Sequence, residues 1–184
     1  LDAGCTHAVV EMTSEGVKQY RHKHLYIDAL IFTNIAPEHI ESHGTFAKYL
    51  EAKLSLARLL EESPKKRKVV VANVDDKHGS RFLDVSGVER YPFMLKDAEP
   101  FNIRSNGIAL TFEGTYMLSR LCGKFNLYNI IAAATFARSQ RISVEVIKQA
   151  IEKTKRIPGR VEFIDTGQDF DVIVDYAHTP ESLT

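Results

Sequence analysis

The chain has 184 residues, enough to bury a sizeable core, and one domain is the expectation at that length. Its 24 basic and 24 acidic side chains balance, which argues against a general nucleic-acid or polyanion binder. No apolar run approaches the roughly 18 residues of a membrane span, and Cys5 and Cys122 form no metal-type spacing, so a reducing compartment is expected.

The opening LDAGC lacks the basic and apolar regions that precede a lipoprotein cleavage site. The chain does not begin with Met, and both ends fall near element boundaries, so a piece of a longer protein is expected. Residues 7–12 (HAVVEM) read as a buried strand with Glu11 at its carboxyl end. Ligands gather outside the carboxyl ends of strands in open parallel sheets. Glu11 is therefore a candidate metal or phosphate-side ligand, with a solvated strand-end carboxylate as the alternative. Thr13, Ser14 and Gly16 form a small polar turn, and Arg21 opens a basic stretch with His22, Lys23 and His24.

Residues 27–32 (IDALIF) predict a second buried strand, which runs into Thr33, Asn34 and a loop dense in His and carboxylates. Pro37 and Gly44 punctuate that loop. His39 is a candidate hard-metal or phosphate neighbour, and His43 a weaker one. Thr45 is a plausible cap for the helix that follows. Phe46, Tyr49, Leu50, Leu54, Ala57 and Leu60 recur there at helical period. Lys53 lies on the same stripe. Burial would lower its pKa and make a neutral amine available; a snorkelling lysine is the other reading.

Residues 64–68 form a basic turn, read as a solvated loop. Residues 69–74 (VVVANV) predict a third buried strand, with Asp75 and Asp76 on the ligand side. A short helix is expected over 77–83. Short pieces with partial alternation, split by Pro, Gly and Asn, predict a small antiparallel meander around 90–121. Residues 123–140 then read as a helix. Asn126 and Asn129 share one side of its first turn, to cap it or to read a base edge. Residues 143–154 predict another helix with Ser143 as cap. Residues 158–160 form a turn presenting Arg160, and 161–164 and 170–175 read as neighbouring strands. Thr179 could cap a helix begun by Pro180. The result is an α/β fold, a mainly parallel sheet flanked by helices, with a small antiparallel β meander. Acid, His and amide groups at strand ends point to a nucleotide- or phosphate-handling domain.

The motifs VVEMTSEG, FTNIAPEHIESHGTFAKYLEAK, NVDD, GKFNLYNIIAA, IPGRVE and VDYAHTPESL together resemble the central, ATP-binding domain of the Mur ligases. The likeness is greatest to the branch that adds the third residue of the peptidoglycan stem peptide. The motifs occur in family order and cover nearly the whole chain. The resemblance implies a P-loop-type fold, with 1–178 as a partial central domain and 179–184 as the start of the hinge to a C-terminal domain. It also implies a cytoplasmic, monomeric ligase using ATP and Mg²⁺. Its substrates would be an amino acid and UDP-MurNAc-L-Ala-D-Glu, with no nucleic-acid or membrane partner.

Position by position, the resemblance makes Glu11 a ligand of Mg²⁺ beside the ATP γ-phosphate and His39 a residue of the second Mg²⁺ site. Lys53 would be carbamylated, its carboxylate-like anion serving that second ion, with Tyr49 nearby. Asn126 and Asn129 would lie at the nucleotide, Arg160 at the phosphates, Asp175 at the ribose and His178 at the hinge side. Thr13, Ser14 and Arg21 match positions that contact the UDP-sugar-peptide.

The chain departs from the family pattern. Glu15 stands where a histidine is usual and brings negative charge near the substrate; Glu38 and Glu41 stand where aspartates are usual. These put the acceptor substrate in question. No G-x-x-x-x-G-K-[ST] loop occurs in the sequence. The family carries it upstream of Glu11, and carries further domains that bind UDP and select the amino acid. The 184 residues alone are therefore expected not to ligate. Two other readings stand beside this one: a related amide ligase of the folylpolyglutamate or cyanophycin synthetase type, and a non-catalytic, ligase-derived interaction domain.

Overall fold

The computed structural model describes residues 3–36, 40–164 and 166–177. In chain order the elements begin with α1 (Ser14–Lys18), β1 (Ala29–Phe32), α2 (Ile40–His43), α3 (Phe46–Glu62), β2 (Val69–Asn73), α4 (Gly79–Leu83) and β3 (Glu89–Phe93). A 3₁₀ turn (Leu95–Ala98) follows, then β4 (Asn102–Arg104), β5 (Gly107–Phe112), β6 (Thr115–Ser119), α5 (Lys124–Ser139), α6 (Val144–Lys153), β7 (Glu162–Ile164) and β8 (Val172–Val174).

β1, β2 and β3 form a parallel sheet with β2 in the centre. Every residue of β2 is buried, as expected of an apolar run covered on both faces. Its side chains alternate between two cores. Val69 and Val71 pack with Phe93, Ile131 and Leu127 beneath α5. Val70 and Ala72 pack with Phe32, Leu54, Leu60 and Phe82 beneath α3 and α4. Two helical layers thus sandwich the sheet, the α/β architecture expected.

The predicted helices form where capping and period ask for them. Thr45 accepts from the Lys48 amide at the start of α3, and Ser143 accepts from Val146 at the start of α6. The α3 stripe is buried as predicted at Tyr49, Leu50, Leu54, Ala57 and Leu60, and Leu56 joins it. β4, β5 and β6 form an antiparallel meander, and β7 and β8 an antiparallel pair.

Three expectations are corrected. Residues 7–12 are not a strand: the segment is irregular, and Val9 is 98% exposed. A strand needs a neighbour to take its N–H and C=O groups, and among the described residues β1 pairs only with β2. The meander is shorter than 90–121, because residues 89–93 join the parallel sheet as β3. Pro92 made that stretch look irregular, yet a proline is tolerated on an edge strand, where one side of the ladder is unused. The polar turn after Met12 is a short helix, α1. Thr13 caps it by accepting from the Gly16 amide at 3.0 Å.

Among the described residues no helix is long and apolar enough to cross a membrane.

Candidate functional site

A cleft of about 710 Å³ lies between two segments far apart in sequence. One wall is the irregular segment before α1, α1 itself and the turn after it, contributing Glu11, Thr13 and Arg21. The other is the turn before β7 and the residues after β8, contributing Pro158, Arg160 and Tyr176. The fold therefore brings the predicted residues Glu11, Thr13, Arg21 and Arg160 to one cavity. Exposed Glu11 leaves its carboxylate open to solvent.

The second wall is built by local hydrogen bonds. The Gly159 amide donates to Glu162 Oε2 at 2.9 Å, and Arg156 pairs with the same carboxylate at 3.0 Å. The Tyr176 amide donates to the Gly159 carbonyl at 2.9 Å. Asp175 accepts the amides of Ala177 and Val161, each at 2.6 Å. Those donors hold its carboxyl below the ordinary aspartate range, with Arg160 adding a smaller pull in the same direction. Each oxygen keeps a further lone pair for a ligand hydroxyl. The Arg160 guanidinium lies 5.2 Å from the centroid of the Tyr176 ring, an orientation that cation–π attraction favours.

Other predicted residues sit elsewhere. Ser14 is buried within α1. Lys53 is half-buried on α3, its amine 5.8 Å from the centroid of the Tyr49 ring. Asn126 is buried, and its amide donates to the Cys122 carbonyl at 2.8 Å. That bond runs from the side chain to a carbonyl, and no side chain accepts an amide at the start of α5, so Asn126 anchors the turn before the helix without capping it. Asn129 is exposed at the start of α5, its amide nitrogen 3.5 Å from Asn126 Oδ1. His39 and His178 lie outside the described residues, as do Thr179 and Pro180.

Among the described residues no three His, Cys, Asp or Glu side chains gather as a metal cluster. The donor chemistry of the cleft nevertheless fits a phosphate-bound Mg²⁺: a carboxylate, Glu11, shares the cavity with two arginines. Hard divalent ions favour such oxygen donors and keep waters and phosphates as the rest of their shell.

Sequence reasoning missed Tyr176 as a wall of the cleft, although it stands inside the DYAHTP motif beside Asp175. It also missed Asn73 and Asp76 as anchors. Asn73 donates to the Thr33 carbonyl at 2.8 Å, and Asp76 accepts the Ile35 amide at 2.9 Å. Together they hold the start of the loop that leads to His39.

Residues 1–137 match the model of the family described as the Mur ligase middle domain. The chain is 36% identical, over 97% of its length, to the UDP-N-acetylmuramyl-tripeptide synthetase of Roseiflexus sp. (strain RS-1), of which it covers 39%. It is 33% identical over its whole length to the UDP-N-acetylmuramoyl-L-alanyl-D-glutamate–L-lysine ligase of Staphylococcus aureus (strain MW2), again covering 39%. A solved UDP-N-acetylmuramoyl-L-alanyl-D-glutamate–2,6-diaminopimelate ligase superposes with a TM-score of 0.77 at 26% identity, over 99% of this chain and 39% of that one. The chain thus spans about two fifths of the length of these relatives.

Proposed function

The chain belongs to the Mur ligase middle-domain family, and from that premise we propose that it is the nucleotide-binding part of an ATP-dependent amide ligase. The complete protein adds an amino acid to UDP-MurNAc-L-Ala-D-Glu in peptidoglycan synthesis, acting as a cytoplasmic monomer. Residues 1–178 belong to the central domain, and 179–184 begin the hinge. The observation that carries this reading is the cleft that unites Glu11, Thr13 and Arg21 with Arg160.

The reaction is carboxylate activation. The terminal carboxylate of the substrate attacks the γ-phosphorus of ATP, ADP leaves, and an acyl phosphate forms. The amine of the incoming amino acid attacks the acyl carbon, phosphate leaves, and the amine loses a proton. Charge is the main obstacle in phosphoryl transfer, so preset cations are the principal aid. Arg160 neutralises phosphate oxygens from one wall while Tyr176 steadies its guanidinium. Arg21 and Thr13 hold the UDP-sugar-peptide from the other, with Ser14, buried in α1, as the third residue of that subsite. Asp175, kept ionised, accepts a ribose hydroxyl. Asn129 faces the nucleotide at the start of α5, and Asn126 holds that helix start rigid.

Mg²⁺, when bound, supplies charge neutralisation between the phosphates; Glu11, His39 and Lys53 are the residues that would hold it. Lys53 takes part as a carbamate: its neutral amine adds to carbon dioxide and releases a proton. It stands half-buried beside Tyr49 on α3, partly withdrawn from the water that would otherwise hydrate an ammonium. His178 borders the nucleotide.

The test incubates the intact protein with ATP, Mg²⁺, UDP-MurNAc-L-Ala-D-Glu and either L-lysine or diaminopimelate. Mass spectrometry should find the tripeptide product with one phosphate released per product. Arg160→Ala should raise KM for ATP at least about tenfold, the effect of removing a charged hydrogen-bond partner. The 184-residue chain alone, without a phosphate loop, should give no product. No ATP-dependent product from the intact protein with either amino acid overturns the reading.

A further inference from the structure

Glu15 departs from the family pattern beside the cleft, and its carboxylate is engaged with α2. It accepts the Ser42 hydroxyl, and Oε1 lies 3.4 Å from Nε2 of His43. One turn along α1, Lys18 donates to the Ser42 carbonyl at 2.5 Å and to its hydroxyl oxygen at 2.9 Å. Ser42 is thus gripped by an anion and a cation that share one helix. The His43 side chain is only 4% exposed, and its Nε2 makes no hydrogen bond. The Glu15 carboxylate faces that nitrogen across 3.4 Å, so its removal would leave a buried polar group with no charge opposite it.

The contacts continue beyond α2. The His43 ring lies 5.4 Å from the Tyr49 ring, centroid to centroid, and the Tyr49 ring lies 5.8 Å from the Lys53 amine. α1 itself packs on α3, and Thr13 at its cap lines the cleft.

We infer that Glu15 is a positioning residue, clasping the substrate wall of the cleft to the corner that orients Tyr49 and Lys53. The inference rests on the ligase reading for what is positioned, and on the geometry alone for the clasp. The negative charge expected to face the substrate is here turned onto Ser42 and His43. It fixes the distance between the wall that holds the UDP-sugar-peptide and the helix that carries Lys53. Loss of the clasp would let α1 move against α3 and blunt substrate binding, while Lys53 kept its own chemistry.

A double-mutant cycle in the intact protein tests this, with Glu15→Ala, Ser42→Ala and both together, reading KM, kcat and the thermal midpoint. Residues in one hydrogen-bonded network should be strongly non-additive: Glu15→Ala should raise KM for UDP-MurNAc-L-Ala-D-Glu about tenfold, and the double variant no further. kcat should change less than KM. Glu15→Gln, which keeps an acceptor for Ser42, should recover part of the loss. Additive midpoints overturn the clasp. Coupled midpoints with an unchanged KM overturn the positioning role, as does a lower KM in Glu15→Ala, the sign of a carboxylate that repels substrate. An intact protein that ligates nothing overturns the ligase reading instead, and the midpoints still judge the clasp.

Discussion

Asp76 places both carboxylate oxygens on backbone amides: Oδ2 on Ile35 at 2.9 Å and Oδ1 on His78 at 2.8 Å. Its neighbour Asp75 does the same work elsewhere, accepting the Leu95 amide at 2.7 Å and the Tyr128 hydroxyl at 2.9 Å through one oxygen. Burial, and then Asp75, push the Tyr128 phenol above its ordinary range. Hydrogen bonds to an ionised acceptor are worth about 1.5–3 kcal/mol each, and an orphaned half-buried amide adds its own penalty. Asp76→Ala should therefore lower unfolding free energy by about 2–4 kcal/mol at an unchanged denaturant slope. Asp76→Asn, which keeps one acceptor, should lose about half as much. An Asp76→Ala protein as stable as wild type would show that the carboxylate holds nothing. The position of these acids at a strand's carboxyl end was legible in the sequence, because a run of apolar and amide residues precedes them. Their partners were not, since Ile35 and Tyr128 are brought close only by the folded sheet. Lys53 shows the same division: helical period put it on the buried stripe, and only packing put it beside Tyr49.

At the scale of elements, α4 lies against the end of β2 so closely that a side chain at its first residue has no room. A Cβ on Gly79 would fall 1.7 Å from the Asn73 carbonyl oxygen and 3.2 Å from the Val74 Cα. Both neighbours are backbone, one of them in the central strand, so neither can yield by a rotamer change. Gly79→Ala should destabilise by at least about 2–3 kcal/mol, the upper part of the usual overpacking range. Gly87 gives the contrasting case. It has φ +66°, and a Cβ added there would meet nothing within 4 Å, so Gly87→Ala faces only left-handed strain, about 1–2 kcal/mol. Thermal melts of the two variants separate the causes, and a Gly79→Ala protein as stable as Gly87→Ala would refute the steric account. The helices were legible from caps and period, and the central strand from its unbroken apolar run. Residues 7–12 had the same texture and are no strand, because apolar sequence specifies burial and leaves the partner unspecified. β3 was missed for the opposite reason: Pro92 hides a strand whose place at the sheet edge makes the proline harmless.

At the scale of the whole molecule, Arg67, just before β2, bridges the ends of three elements above the two buried cores. Arg67 forks onto Glu89 at 2.9 and 2.6 Å, joining β2 to β3, and donates to the Ser139 carbonyl at the end of α5 at 2.6 Å. Nothing in the sequence marked it beyond a basic turn, since each partner comes from another element. The Arg67 hydrogen bond, with help from Tyr91, holds the Glu89 carboxyl below its ordinary range, and Glu89 in turn raises the guanidinium. Backbone donors lower Asp175, and the backbone and Ser143 lower Glu145. Each of these carboxyls binds its proton less readily folded than unfolded. Their contribution is therefore complete above the unfolded carboxylate range, about pH 4, and is lost as the pH falls through the lower folded values. Urea midpoints should thus rise with pH across the acid range and flatten near neutrality. Glu89→Gln should make that rise shallower without removing it, because Asp175 and Glu145 remain. The difference between wild type and variant should shrink at about 1 M salt, where the screening length is roughly 3 Å and an exposed pair is largely masked. Parallel pH profiles for the two proteins would mean that the Arg67 fork orders the ends of β2, β3 and α5 without tuning a titration.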